Sequence, residues 1–106
     1  MRIKYNATSW SEWEKIITES SALWKNNIKN LDNNADLNTL NNVNIVQIYR
    51  CGYSTNRVNA PQDWYGGILI SSLIGGFGFQ IAFTYNSTNM YIRTFYNENW
   101  NVWKKL

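Results

Sequence analysis

Side chains that carry out catalysis are scarce in this chain. It has no histidine, which is the commonest general base, and a single cysteine, Cys51. This composition lacks the ligands of a zinc, haem or iron–sulfur site, so we expect no metal and no cofactor. Cys51 lies in an alternating apolar stretch, which predicts a small buried side chain rather than a reactive thiol.

The acidic residues do not form a catalytic pair. Asp63 beside Trp64 places a carboxylate next to an aromatic ring, as in glycoside hydrolysis, but a second carboxylate at a useful separation is not evident. The glycine-rich run 75–78 is not a phosphate loop, because it lacks the closing Lys-Ser/Thr and a following helix. We therefore expect no catalytic residues and a protein that is not an enzyme.

The segment 53–65 is the best candidate for a binding loop. Aromatic faces pack against the apolar faces of sugar rings, while amides and carboxylates bond the hydroxyl groups. A guanidinium in the loop also suits a phosphate or carboxylate of a surface polymer. The alternative is that the tryptophan folds back to cap a sheet. The candidate glycan-binding residues are Trp64, Tyr65, Arg57, Asn56, Asn59 and Asp63.

Alternating apolar residues and short polar turns predict the elements that must position this loop. The sequence indicates a mainly β fold, a small antiparallel meander sheet of about five strands with one short N-terminal α-helix. Gly75-Gly76 suits a hairpin turn, and Asn97–Asn99 suits another. In the strand between these turns, Phe77, Phe79 and Phe83 share a face that resembles a core. The predicted strands are 43–52, 68–74, 77–84, 90–96 and 100–105.

Two interpretations compete for the N-terminal third. Capping-box spacing and apolar periodicity favour a helix from about Ser11 to Lys29, whereas the preferred interpretation is a strand to Ile16 followed by a helix from Thr18, with Lys25 and Lys29 in its last turn. Its apolar stripe is a core seam or a trimer seam, and a core is the commoner use of such a stripe. The predicted organisation is a hairpin at 1–17, a helical linker at 18–34 and a β module at 35–106.

Both ends of the chain carry the same short pattern. Arg2–Ile16 aligns with Arg93–Leu106 once one residue is added to the turn. The alignment matches an arginine, a Tyr-Asn pair, two tryptophans in W-x-x-W, a lysine and a final aliphatic residue. We interpret it as an internal repeat, although two aromatic-rich hairpins of one domain are an alternative. The repeat suggests that Met1 is a boundary rather than a natural start.

The tryptophans of the second copy, Trp100 and Trp103, should lie on opposite faces of a strand, one in the core and one exposed or at a subunit interface. Because they belong to the repeat, we read them as structural rather than as ligand-binding residues. Arg93, between Tyr91 and Phe95, is likewise expected to stack on an aromatic ring in a structural role.

Length and charge bound the remaining possibilities. A chain of 106 residues is expected to form one domain with a small core. Its net charge of +3 and its 16% of charged residues fall short of a dedicated nucleic-acid arm. Single-strand nucleic-acid binding through sheet aromatics stays an alternative. The N-terminus has no apolar run, so we expect no signal peptide and no membrane insertion.

Seven short motifs in fixed order resemble the knob-type module of R-type pyocin and bacteriophage tail fibres. Asn42-Val43-Asn44 stands where such modules commonly have Thr-Pro-Gly, so the turn geometry there departs from the pattern. Residues 1–16 are similar to the closing hairpin of a preceding copy. The motifs lie at 36–40, 49–51, 59–61, 67–70, 80–82, 91–94 and 100–105.

The resemblance implies a trimeric fibre protein in the tail of a phage or tailocin particle. Its expected partners are neighbouring fibre domains and a bacterial surface polysaccharide or teichoic-acid-like polymer, with no nucleic acid. The expected function is non-catalytic attachment to the host surface. The alternative within this class is a purely structural spacer, since a fibre with several copies needs few of them to bind.

Overall fold

The computed structural model of the chain describes residues 27–106, and within them the fold is mainly β, as predicted. A single mixed sheet has the order β1-β2-β3-β4-β5-β6, with β7 also paired to β5. A short 3₁₀ helix covers Leu37–Thr39. The strands are β1 (Ile28–Asn30), β2 (Gln47–Cys51), β3 (Gly67–Ile74), β4 (Phe77–Thr84), β5 (Met90–Tyr96), β6 (Asn99–Trp100) and β7 (Lys104–Lys105).

The meander of β3, β4 and β5 confirms the predicted centre of the sheet. Gly75 and Gly76, with φ of 58° and 87°, form the two-residue turn that joins β3 to β4. Asn97 and Glu98 also have positive φ, 54° and 66°, and they join β5 to β6. Two consecutive left-handed residues match the right-handed twist of the flanking strands, which is why Gly and Asn recur here.

The predicted helix is wrong at its C-terminal end. Ile28, Lys29 and Asn30 form β1, which pairs in parallel with β2. The Asn27 side chain donates a hydrogen bond to the Val46 carbonyl and so aligns β1 with β2. Pairing with an existing strand outweighs the helical preference of so short a segment. The rest of that helix and the hairpin at 1–17 lie outside the described residues.

The predicted strand 100–105 is also interrupted. β6 ends at Trp100 and β7 begins at Lys104, and both pair with β5. Between them the chain leaves the hydrogen-bond ladder of the sheet, although the backbone N–H of Asn101 still donates to the Thr94 carbonyl at 2.8 Å. The prediction that Trp100 and Trp103 lie on opposite faces assumes a regular strand, and this break removes the alternation of side chains that it needs.

One face of the sheet is covered by the loops and contains the core. Leu31, Leu37 and Trp64 from the loops pack over Tyr49, Leu69, Ala82 and Tyr91 from the strands. A buried polar row crosses the same face, one residue from each of four neighbouring strands. The paired members of this polar row are Gln47, Ser71, Gln80 and Arg93.

The opposite face is apolar, and its isoleucines are exposed or half-buried, while Ser72 on the same face is buried. An isoleucine row crosses it, one isoleucine from each of five neighbouring strands, and phenylalanines of β4 flank the row. The predicted core face of β4 is therefore the more open one, while the buried face carries Gln80 and Ala82. The isoleucine row consists of Ile28, Ile48, Ile70, Ile81 and Ile92.

Replacement of Gly67 by alanine should destabilise the fold strongly. Gly67 has a φ of 138°, and a Cβ there would overlap the Phe83 carbonyl oxygen of the paired strand. We expect Gly67→Ala to lower the free energy of unfolding by about 3 kcal/mol or more. Gly75→Asn is the control, because its φ of 58° suits asparagine and no atom lies within 4 Å of the new Cβ. Urea unfolding followed by tryptophan fluorescence would measure both, and equal midpoints would contradict this account.

Candidate functional site

Trp64, the predicted sugar platform, lies in the core. Its side chain is 3% exposed, and its indole N–H donates to the Phe83 carbonyl at 3.0 Å. The ring therefore covers the sheet and presents no face to a ligand. Trp64 therefore caps the sheet, which is the alternative to a sugar platform that the sequence also allows.

Arg57 is also engaged within the fold. Its guanidinium donates to the carbonyls of Leu31, Asp32 and Gly52 at 2.8 to 3.3 Å. It lies 5.8 Å from the centroid of the Trp64 ring. These contacts tie the loop after β1 to the loop after β2, and they use most of the N–H groups that an anionic ligand would need.

The remaining residues of the predicted loop site are exposed, and Asp63 and Tyr65 line one small cavity with Arg57 and Trp64. Tyr65 lies 6.0 Å from Tyr53 between ring centroids, and its hydroxyl is 3.5 Å from an Asp63 carboxylate oxygen. The backbone N–H of Asn56 bonds the Ser54 hydroxyl, which shapes the turn. The cavity beside this loop is small, about 170 Å³. Glycan binding by the loop stays a prediction, now carried by Tyr65, Asp63 and Asn56.

Asn59, the sixth predicted residue, belongs to a different and larger cleft. Its side-chain amide donates to the Asp36 carboxylate at 2.7 Å, and its backbone carbonyl accepts a hydrogen bond from the indole N–H of Trp103 at 2.9 Å. The cleft has a volume of about 550 Å³ and is open to solvent. Amides, two indole rings, one guanidinium and one carboxylate line it. The polar and aromatic lining residues are Asn38, Asn59, Asn99, Asn101, Arg93, Glu98, Phe95, Trp100 and Trp103.

Arg93 enters this cleft from the core face of β5, at the end of the buried polar row. Its Nε donates to the side-chain oxygen Oε1 of Gln80 at 2.9 Å. Gln80 is itself fixed, because its amide nitrogen donates to the Leu37 carbonyl and to the Ser71 hydroxyl. The row thus runs hydrogen bond by hydrogen bond from the sheet interior to the cleft, and it holds the guanidinium in one position.

Both tryptophans of the repeat pack on this guanidinium. The Arg93 carbon Cζ lies 4.5 Å from the centroid of Trp100 and 4.6 Å from that of Trp103, over the face of each ring. The expectation that these tryptophans lie on opposite faces is therefore wrong, because the chain leaves the sheet between them. Phe95 extends the aromatic wall, with its ring 5.1 Å from that of Trp100 in an edge-on arrangement.

The sequence carried a signal for this arrangement in the repeat itself. The matched positions include an arginine and both tryptophans together, Arg93 with Trp100 and Trp103. Residues that contact one another in space tend to be kept as a set. The prediction of a structural role for both tryptophans rests on their place in this pattern, and a regular strand would separate the two rings.

The charged side chains around the cleft differ in how far neighbouring groups compensate their charge. Burial lowers the pKa of Arg93 to about 10, and the nearby Asp36 charge opposes that shift, so the guanidinium is charged at neutral pH. The hydrogen bond from Asn59, followed by that from the Asn38 amide, lowers the pKa of Asp36. The Asp36 carboxylate thus accepts hydrogen bonds within the fold, whereas the Glu98 carboxylate lines the wall of the cleft.

Cys51 is buried beneath the loops, as predicted. Burial raises the pKa of its thiol to about 11, so it is protonated and a poor nucleophile at neutral pH. Across residues 27–106 no cluster of three metal-ligating side chains is found. In the same part of the chain, no helix has the length and apolar character needed to cross a membrane.

Truncation of Trp64 should reveal its role as a cap. Trp64→Ala removes a large buried ring and the hydrogen bond to Phe83, so we expect a loss of about 3–5 kcal/mol in the free energy of unfolding. Tyr65→Ala changes the neighbouring exposed ring and should cost about 1 kcal/mol or less. Chemical denaturation of both variants provides the measurement. Similar small losses in both would show that Trp64 does not support the core.

Comparison of the chain with protein-family models, with curated proteins and with solved structures found no significant match in any of the three.

Proposed function

We propose that this chain is a non-catalytic binding module for a sugar polymer of the bacterial surface. The observation that carries the proposal is the open cleft in which Trp100 and Trp103 stand beside several asparagine side chains. Binding sites commonly combine aromatic walls with a few polar groups that set orientation. Amide groups both donate and accept hydrogen bonds, as sugar hydroxyls do.

The acid content of the cleft supports binding rather than hydrolysis. Glycoside hydrolysis uses two carboxylates on either side of the scissile bond. Among the described acids, Glu98 lines the cleft, while Asp36 is bonded to Asn59 and to the Asn38 amide. A cleft with one exposed carboxylate and a fixed guanidinium suits recognition of a ligand.

The biological setting that we propose is the tail fibre of a phage or tailocin particle. It rests on the resemblance of the motifs between residues 36 and 105 to the knob-type fibre module. In that setting the module contributes to attachment to a surface polysaccharide or teichoic-acid-like polymer, next to neighbouring fibre domains.

Binding of the full chain to a glycan panel tests the proposal. We expect saturable binding to at least one bacterial surface polymer, weakened by about 2 kcal/mol or more in Trp100→Ala and in Trp103→Ala. Tyr96→Ala is the control, because it removes an exposed ring outside the cleft. Isothermal calorimetry gives the affinities, and circular dichroism confirms that each variant is folded.

Three outcomes would count against this cleft as the site. A folded chain that binds no polymer would reject the function. Binding that survives both tryptophan changes but fails in Tyr65→Ala would move the site to the 53–65 loop. Preferential binding of single-stranded oligonucleotides, with a steep dependence on salt, would instead favour the nucleic-acid alternative.

A second candidate function is a structural spacer in a trimeric fibre, and the isoleucine row favours it. This apolar sheet face is continuous with a groove of about 760 Å³ that Ile28, Ile48, Ile68 and Phe83 line. Large uncovered apolar patches are uncommon in monomeric proteins and often mark contact surfaces. A second copy of the chain placed against this face would remove it from water.

The oligomeric state tests the spacer function. We expect Ile81→Asp to dissociate the assembly, because burying an unpaired carboxylate in an apolar contact is strongly unfavourable. Thr88→Asp adds the same charge in an exposed turn and should leave the assembly intact. Sedimentation velocity on the full chain and both variants gives the masses. A wild-type chain that is monomeric at high concentration would contradict this assembly.

A further inference from the structure

We propose that the cleft beside Trp100 and Trp103 takes an anionic sugar polymer, whose carboxylate or phosphate group bonds the guanidinium of Arg93. This inference rests on the proposed binding function and names the chemical class of its ligand. It is carried by the state of Arg93, which is buried yet incompletely bonded.

Arg93 is 6% exposed, and its Nη2 atom has no hydrogen-bond partner among the described residues. Its recorded hydrogen bond is the one from Nε to Gln80, a neutral acceptor. Buried charges are normally paired with an opposite charge, because an unpaired one loses its hydration without return. The Asp36 carboxylate compensates part of the charge on the guanidinium, but the Nη2 donors stay unused among the described residues.

The position of the guanidinium is fixed before any ligand arrives. Gln80 bonds it from the core side, and Gln80 is held in turn by Leu37 and Ser71. The indoles of Trp100 and Trp103 lie against it. A pre-positioned planar fork of N–H donors matches the two oxygens of a carboxylate or phosphate, and little conformational entropy remains to be lost on binding.

The surrounding cleft suits the remainder of such a ligand. The amides of Asn59, Asn99 and Asn101 line the cleft. Each donates one hydrogen bond within the protein, and its second N–H and its oxygen can bond ring or chain hydroxyls. Glu98 is the opposing charge, since its carboxylate lines the cleft and repels an anion at short range. A neutral side chain at position 98 should therefore strengthen binding of an anion relative to binding of a neutral sugar.

Three probes distinguish the ligand classes: an oligomer of a uronic acid, a poly(glycerol phosphate), and a neutral dextran oligomer of similar length. We expect the full chain to bind at least one anionic probe about tenfold or more tightly than the dextran. Preference between the two anionic probes then identifies the carboxylate or the phosphate as the source of the charge. Equal affinity for all three would overturn the anion inference and leave sugar binding intact, while binding to none would overturn both.

Two substitutions place the anion at Arg93. Arg93→Lys keeps the charge but loses the fork and should weaken anion binding about tenfold, with a smaller loss for dextran because Arg93 also supports both indoles. Glu98→Gln should tighten anion binding about threefold. Asp32→Asn is the charge-matched control, because Asp32 is exposed and does not line the cleft. If Arg93→Lys fails to fold, the comparison of Glu98→Gln with Asp32→Asn still decides, and equal effects of these two would overturn the proposal.

Discussion

A charged side chain inside the loop-covered face of the sheet is the constraint on which the rest of this structure depends. Arg93 needs an acceptor at its inner end, and Gln80 supplies one from the neighbouring strand. Gln80 in turn needs Ser71 and the Leu37 carbonyl. Because side chains alternate between faces, a slip of one residue between β4 and β5 would place Arg93 among the isoleucines. The polar row therefore specifies the register of the sheet as strictly as an apolar core would.

This constraint gives the two faces opposite roles. The loop-covered face combines the polar row with a few apolar side chains of the strands, and segments 31–44 and 53–65 bring Leu31, Leu37 and Trp64 to complete a core. The isoleucine row is left on the other side, where the described residues do not cover it. One face thus organises a cleft with fixed polar groups, and the other presents apolar surface available for contact. The two candidate functions, polymer binding and assembly within a fibre, draw on different faces and do not compete.

Local sequence signals predicted the strands but not the choice of faces. The alternation in 68–74, 77–84 and 90–96 and the turn residues Gly75-Gly76 and Asn97-Glu98 correspond to β3, β4, β5 and their connections. Periodicity alone cannot say which face the loops will cover. Phe79 and Phe83 led to the prediction that their face is the core, but the loops cover the opposite face. Likewise, β1 forms through pairing with β2, a partner about twenty residues away that no local propensity encodes.

The cleft could not be predicted from the sequence for a related reason, since it exists only because the strand between Trp100 and Lys105 is broken. A regular strand from Trp100 to Lys105 would send the two indoles to opposite faces. Instead, two hydrogen bonds hold the chain where it leaves the sheet, and they replace the ladder hydrogen bonds that the break removes. The backbone N–H of Asn101 donates to the Thr94 carbonyl, and the Trp103 indole donates to the Asn59 backbone carbonyl. With those bonds in place, both rings reach the guanidinium of Arg93. The favourable contact of a cation with two indoles offsets part of the loss of strand regularity.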